Sequence, residues 1–251
     1  MADPEIFRQH SKIEYDSAKR LAESLKPWRF SVPKGPILEV GAGTGHLTQH
    51  LADLFPKRSF HVADKSPQML QIAEDNLRTD EASKLSFSIF DPEQDNIKPQ
   101  HYALISGNYV AHQFTNPALT LERLALGLKL DGYMILSFPG EDSFGEWRST
   151  CLDLGIPYTA KPMPETEPTV IHLSMGPVQV DFYEDQSKGY FQDFNSFLSH
   201  MKAGGFDVEK NDRKLSTKEI SLLDENWAAK ENGALAFTFH NVFLAIKRIG
   251  E

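Results

Sequence analysis

Short apolar runs alternate with amphipathic stretches over the first 140 residues of the chain. A run of about four to eight apolar residues is typical of a strand buried on both faces. Strands are therefore predicted at Pro36–Val40, Ser59–Ala63, Leu85–Phe90, Tyr102–Ser106 and Tyr133–Phe138, with an Asp131-Gly132 turn opening the last of them.

The stretches between these runs repeat apolar residues at helical spacing. The predicted helices are residues 11–29, ended by Pro27, then His46–Phe55, Pro67–Leu77 capped by Ser66, and Pro117–Leu130. Strands that alternate with helices imply a parallel sheet whose crossovers cover both faces. The first half is therefore predicted to be a doubly wound α/β fold.

The second half is less regular. Strands are predicted at Val178–Tyr183 and Ala234–Lys247, and a helix at Gln192–Ala203 that stops at Gly204-Gly205. Prolines crowd residues 156–178, where each ring removes a backbone N–H and restricts the preceding residue. We predict an irregular insertion near residues 156–190 and a late antiparallel strand beside the parallel sheet, within one domain spanning residues 1–251.

Charge and cysteine content narrow the function. The net charge is −9 and the isoelectric point is near 5.5, which argues against nucleic acid or an anionic membrane as a partner. A single cysteine, Cys151, excludes an intrachain disulfide and a cysteine-rich zinc site, and we predict no metal. With neither a signal peptide nor a membrane-spanning run in the sequence, we expect a cytoplasmic protein.

Three glycines at alternate positions follow the first predicted strand in I-L-E-V-G-A-G-T-G. Gly41, Gly43 and Gly45 lie where ligands bind in open α/β sheets, at the carboxyl end of a strand. Glycine lets a ligand approach the backbone itself. The spacing G-x-G-x-G differs from the G-x-G-x-x-G of dinucleotide folds, and no G-K-[ST] follows that would indicate a phosphate loop.

This motif, with Glu39 before it, resembles motif I of the class I S-adenosylmethionine-dependent methyltransferases. The resemblance implies that the glycine backbone and Ala42 lie against the methionine and ribose parts of S-adenosylmethionine, with Glu39 near its ammonium group. The cofactor carries no phosphate, so an acidic residue beside its cationic half is attractive.

Acidic residues also end the next two predicted strands. Asp64 is placed to accept hydrogen bonds from both ribose hydroxyls, and the resemblance assigns Asp91 to the adenine amino group. Met69 and Ile89 are candidates for apolar contacts with the adenine. Further cofactor contacts are expected at Lys65, Pro92 and Asn108. Taken singly, Asp64 is as typical of a helix cap and Asp91 of a turn.

The acceptor is suggested by other stretches. S-G-N-Y-V-A-H-Q-F from Ser106 lacks the [DNS]-P-P-[YFW] tetrad of nucleic-acid amino methyltransferases. Four stretches resemble malonyl-[acyl-carrier-protein] O-methyltransferases: I-E-Y-D from Ile13, S-F-P-G-E-D-S-F-G-E-W-R from Ser137, F-Q-D-F-N-S-F-L-S-H-M-K-A-G-G from Phe191 and T-F-H-N-V-F-L-A-I-K-R from Thr238. The resemblance implies methylation of the free carboxylate of a malonyl thioester on an acyl carrier protein, in biotin synthesis.

Three candidate residues would serve this acceptor. Arg148 could hold a carboxylate bidentately, Tyr15 could close over the methyl group, and His112 could touch the substrate. The alternatives are a solvated arginine, a packing tyrosine and a structural histidine. On this reading residues 1–35 form a helical lid, 36–140 the cofactor core, 141–205 a substrate-side insertion and helix, and 206–251 the C-terminal strands.

Two other functions stay open at this stage. The chain could methylate another small acid, an amine or a phenol, or it could be a noncatalytic methyltransferase-like binding subunit. Carrier proteins are acidic, so a carrier-bound substrate calls for a basic cluster despite the net charge of −9. Lys19, Arg20, Lys26 and Arg29 are the residues that could form one.

Overall fold

A computed structural model describes residues 12–77, 84–203 and 213–250. The first half contains α1 (Lys12–Leu25), β1 (Ile37–Val40), α2 (His46–Leu54), β2 (Ser59–Asp64), α3 (Pro67–Leu77), β3 (Lys84–Ile89), β4 (Tyr102–Gly107), α4 (Pro117–Ala125) and β5 (Leu128–Pro139). The second half contains α5 (Gly145–Leu154), α6 (Thr166–Ser174), β6 (Val178–Phe191), α7 (Phe194–Ala203), α8 (Thr217–Asn226), β7 (Lys230–Glu231) and β8 (Ala234–Arg248).

The described strands form a mixed sheet in the order β3-β2-β1-β4-β5-β8-β6, with β7 paired to β8. Strands β1 to β5 pair in parallel, whereas β7 and β8 are antiparallel. The strand order reverses its direction between β1 and β4, which is where such sheets bind ligands. The predicted doubly wound, mostly parallel fold with a late antiparallel strand is confirmed.

The chain divides into two compact units. The first, the loop unit, comprises Glu14–Phe138, Pro164–Tyr183 and Val242–Glu251. The second, the aromatic unit, comprises the described parts of Met1–Ile13, Pro139–Met163 and Glu184–Asn241. The assignment of residues 1–251 to one domain with four functional segments stays a prediction.

The loop unit owes its core to strands that are apolar on both faces. Every residue of β1 and β4 is buried, as expected when helices cover both sides of a parallel sheet. One core cluster joins Leu21 of α1, Leu51 of α2 and Ala73 of α3, while a second contains Leu121 and Leu124 of α4. Helices therefore cover both faces of the sheet.

The aromatic unit has a core of ring contacts. Phe197 and Phe237 stack with their centroids 3.8 Å apart, and Trp227 lies 4.5 Å from Phe237. Trp147, which is fully buried, meets Phe194 edge to face at 5.1 Å. Such pairs contribute stability beyond the apolar area that they bury.

The prediction of one helix boundary and one turn was wrong. The helix expected at Pro117–Leu130 ends at Ala125, and β5 already begins at Leu128. Asp131 and Gly132 lie inside β5, where Asp131 has a φ of 59° and the pairing with β4 shifts register after Tyr102. The left-handed residue is accommodated by a bulge within a continuing strand, where the sequence suggested a turn.

Part of the predicted irregular insertion is regular. Pro168 lies in the first turn of α6, where a backbone N–H has no partner within the helix, so its ring is tolerated. β6 then runs for 14 residues, well beyond the predicted strand at Val178–Tyr183. The Gly204-Gly205 stop predicted after α7 lies outside the described residues. None of the helices in the described ranges is long and apolar enough to cross a membrane.

Candidate functional site

The three glycines after β1 serve different purposes. All have left-handed backbones, with φ values of 62° at Gly41, 54° at Gly43 and 88° at Gly45. A Cβ at Gly41 would lie 2.5 Å from Val110, and one at Gly45 would lie 2.9 Å from Leu77. A Cβ at Gly43 would meet nothing within 4 Å. The outer glycines therefore allow close packing, and only the middle one borders open space that a ligand could fill.

Asp64, the last residue of β2, is held by the glycine loop. Its Oδ2 accepts the N–H of Gly43 at 2.9 Å, and its Oδ1 accepts the N–H of Ser66 at 2.8 Å. Burial raises the pKa of this carboxyl, while the two backbone donors and the charge of exposed Lys65 lower it. Each oxygen keeps a second lone pair, so the fixed carboxylate fits a vicinal diol.

Glu39 lies in the middle of β1 and is 1% exposed. Its Oε2 accepts the hydroxyl of Thr48 in α2 at 2.6 Å. Burial raises the pKa of Glu39 to about 8, although the Thr48 bonds lower it. The carboxyl is therefore mostly protonated at neutral pH, and a cation bound beside it would favour its ionised form.

Asp91 follows β3 and shapes a turn. Its Oδ1 accepts the N–H of Glu93 at 2.9 Å, and its own N–H donates to Asp95 Oδ2 at 2.7 Å. Arg123 fixes the same turn by donating to the carbonyl oxygens of Glu93 and Asp95. The turn-forming alternative for Asp91 is thus observed. The turn uses only the Oδ1 atom of the Asp91 side chain, so Oδ2 could accept a hydrogen bond from a ligand.

The candidate apolar contacts differ in exposure. Met69 is 6% exposed in α3, where its N–H donates to Ser66 Oγ at 3.3 Å and so confirms the predicted cap. Ile89 is 63% exposed at the end of β3, and Pro92 is buried. An exposed isoleucine at this edge of the sheet is suited to covering an apolar ligand surface.

A hydrogen-bond network ties α1 to the ends of β4 and β5. Ser137 Oγ accepts the hydroxyl of Ser17 at 3.0 Å and the N–H of Tyr109 at 3.1 Å, and it donates to Asn108 Oδ1 at 2.8 Å. The Asn108 amide donates to the carbonyl oxygen of Glu14 at 2.9 Å. Sequence reasoning missed Ser17 and Ser137, because isolated serines carry no distinguishing pattern.

Tyr15 lies on α1 beside the glycine loop. Its ring meets His46, the first residue of α2, edge to face at 5.4 Å, and His50 at 5.3 Å. Burial lowers the pKa of both histidines. Tyr15 is 39% exposed, so it combines packing against two rings with a surface open to ligand.

Comparison with known proteins identifies the kind of enzyme. Residues 38–134 match a family model described as a methyltransferase domain. A malonyl-[acyl-carrier protein] O-methyltransferase of Acetivibrio thermocellus is 28% identical over 96% of this chain and 89% of that protein. Another, of Magnetococcus marinus, is 28% identical over 63% of this chain, and the match spans 58% of that protein.

A solved structure gives the same fold. The plantazolicin methyltransferase BpumL in complex with SAH has a TM-score of 0.58 and 13% identity, with 97% of this chain and 89% of that chain covered. The chain is an S-adenosylmethionine-dependent methyltransferase. The predictions of a class I fold and of methyltransferase activity are confirmed, and the alternative of a noncatalytic subunit is wrong.

His112 of the methyltransferase is the middle residue of a short helical turn, Ala111–Gln113, that follows β4 within the loop unit. Burial, with a smaller contribution from the positive charge of Lys65, lowers the pKa of His112 to about 3. The imidazole is therefore neutral at physiological pH and is a very weak base.

Arg148 of the methyltransferase lies on α5 in the aromatic unit and is exposed. Its guanidinium carbon is 5.4 Å from the ring centroid of Tyr158, within the range of a cation–π contact. Arg148 is thus a solvent-exposed helix residue, as the alternative describes, and it also contacts an aromatic ring. A guanidinium has five N–H donors, so a contact with Tyr158 leaves others available for a carboxylate.

The four basic residues proposed for a docking cluster on the methyltransferase meet different partners. Lys26 forms an ion pair with Glu23 at 3.3 Å. Arg20 lies over the ring of Phe243, and Arg29 lies over the ring of its neighbour Phe30. The charges of Lys19 and Lys26 lower the pKa of His50, whereas those of Glu23 and Asp53 raise it. This surface carries charges of both signs. It lacks the uniform positive character that a strongly basic docking patch would have.

Proposed function

We propose that the enzyme methylates the free carboxylate of malonyl-[acyl-carrier protein]. The similarity to an enzyme of that name over 96% of this chain carries the proposal for the acceptor. The mixed charge around α1 means that carrier docking depends on shape and individual ion pairs more than on long-range attraction.

The loop unit supplies residues that fit the methyl donor. We assign the open side of Gly43, with Gly41, Ala42 and Gly45, to its methionine and ribose parts, and Asp64 to the ribose hydroxyls. The remaining assignments are Glu39 to the ammonium group, Asp91 with Met69, Ile89 and Pro92 to the adenine, and Lys65 and Asn108 to flanking contacts. Bound S-adenosylmethionine supplies an electrophilic methyl group.

A carboxylate acceptor suits the proton chemistry of the loop unit. The acceptor oxygen is ionised at neutral pH, so it gains the methyl group while sulfur keeps the electron pair, and no proton has to move. Phenols and many amines need a general base. His112, with a pKa of about 3, is a poor base, and this observation favours an acid over the alternative amine or phenol acceptors.

Tyr15 and the network around Ser137 support the helical lid. The helix is fastened at Glu14 and Ser17, on either side of Tyr15, so the ring is presented at a fixed position beside the glycine loop. We propose that Tyr15 closes over the transferred methyl group. We assign the acceptor carboxylate to Arg148 and an uncharged contact with the acceptor to His112.

An acceptor comparison tests the proposed function. The enzyme is incubated with labelled S-adenosylmethionine and either malonyl or acetyl carrier protein, which differ only in the terminal carboxylate. We expect label to enter the malonyl form alone and to be released as methanol on mild alkaline treatment, as a methyl ester requires. Labelling of both forms, or alkali-stable label, would exclude esterification of the carboxylate.

A further inference from the structure

Tyr158 lies ten residues after Arg148, beyond the end of α5, in the proline-rich stretch of the aromatic unit. Its ring is fixed on one side by Trp147, which it meets edge to face at 5.2 Å. Trp147 is fully buried and packs on Phe194 and Phe197. Tyr158 is therefore anchored to the aromatic core of its unit, and its phenol has a defined position.

Arg148 contacts the same tyrosine. The guanidinium lies 5.4 Å from the ring centroid and also hydrogen-bonds the phenol oxygen. A guanidinium has only donors, so the phenol oxygen must accept this bond. The phenol hydrogen consequently remains available to donate elsewhere.

The protonation state of Tyr158 is suited to donation. Burial raises its pKa, and this effect outweighs the lowering by the charge and hydrogen bond of Arg148. The phenol therefore stays protonated at neutral pH. A hydroxyl that accepts a bond from a cation is also polarised toward being a stronger donor.

We propose that Tyr158 and Arg148 together form the carboxylate-binding site for the methyl acceptor, with the Tyr158 hydroxyl donating to one carboxylate oxygen and the guanidinium to the carboxylate as a whole. This inference rests on the proposed carboxyl methylation. It adds Tyr158 to Arg148 in the recognition of the carboxylate, so that the guanidinium supplies the positive charge and the hydroxyl supplies a directional hydrogen bond. The ligand class is a short acyl group that ends in a carboxylate.

The pair also explains selection against other acceptors. A protonated amine would place a second positive charge against Arg148, whose guanidinium has donors only. An ester product lacks the negative charge that the guanidinium binds. The site is therefore expected to hold the acid and to release the methylated product.

Tyr158→Phe is the direct test, because it keeps the ring against Trp147 and under Arg148 and removes only the hydroxyl. A hydrogen bond to a charged group predicts that KM for malonyl carrier protein rises about tenfold or more, with kcat and the Kd for S-adenosylmethionine little changed. The matched control is Tyr190→Phe in the same unit, which removes an exposed hydroxyl bonded to Glu231 at 2.9 Å. This control should leave KM unchanged.

The outcomes separate the inference from the proposed function. If the wild type methylates malonyl carrier protein and Tyr158→Phe, with an unchanged melting temperature, has the wild-type KM, the role of Tyr158 is refuted and the function stands. If a different acid is the acceptor and Tyr158→Phe raises its KM, the carboxylate site stands and the carrier substrate is wrong. Turnover of noncarboxylate acceptors alone would overturn both.

Discussion

The buried carboxyl of Glu39 predicts that binding of S-adenosylmethionine releases a proton. With a pKa of about 8, Glu39 carries about nine-tenths of a proton at pH 7 in the free enzyme. The ammonium group of the methyl donor, placed beside it, stabilises the carboxylate and lowers that pKa. Binding at pH 7 should therefore release close to one proton from this residue, and Glu39→Gln should release none from this position.

Calorimetric titration measures this proton directly. At pH 7 the observed binding enthalpy varies with the ionisation enthalpy of the buffer in proportion to the protons released. We expect the wild type and Glu39→Gln to differ in that proportionality by about nine-tenths of a proton, and the difference to shrink toward one-tenth at pH 9. The control Glu23→Gln alters an exposed carboxylate and should behave as the wild type.

Stability gives the same test an independent readout. The folded pKa of Glu39 lies above its usual 4.5, so the free enzyme prefers the protonated form and loses stability as the pH rises from 4.5 through 8. Glu39→Gln removes this contribution to the pH dependence. Identical buffer dependence in wild type and variant would refute the assignment of Glu39 to the cofactor's cation, whatever the stability profile showed.

Three further predictions concern the loop, the lid and the acceptor. Gly43 and Gly155 both have left-handed backbones with open space for a Cβ, so alanine at either position should lower the free energy of unfolding by about 1–2 kcal/mol in denaturant titrations. Only Gly43→Ala should also weaken cofactor binding in binding titrations. Ser137→Ala should lower the free energy of unfolding by about 1–3 kcal/mol and speed hydrogen exchange of the α1 amides. The control Ser24→Ala removes a hydrogen bond within α1 and should leave the exchange of the helix unchanged. Arg148→Ala should raise KM for the acceptor more than the Kd for S-adenosylmethionine in steady-state and binding assays; equal losses would indicate a structural role.

The cofactor side of the site was predictable because its signals are local. The alternation of strands and helices places Gly41, Asp64 and Asp91 at the ends of strands and Glu39 within β1, and a parallel sheet brings those ends to one edge. The sequence could not distinguish the packing glycines from Gly43, since that difference depends on Val110 and Leu77, which are distant along the chain.

Other features depend on contacts that leave no periodic signal. The Ser137 hub joins residues 120 positions apart, and its serines look like any others in the sequence. The pairing of Arg148 with Tyr158 depends on how the chain continues beyond α5, in a stretch where prolines suppress the regular patterns. The bulge at Asp131 was mistaken for a turn because Asp-Gly is typical of both.

The identity of the acceptor is the central claim, and intact-mass measurement of the carrier protein tests it most directly. Malonyl carrier protein incubated with the enzyme and S-adenosylmethionine should gain the mass of one methylene group, located on the acyl chain by fragmentation. An unchanged malonyl carrier protein, under conditions in which the same enzyme preparation methylates a different acceptor, would contradict the claim.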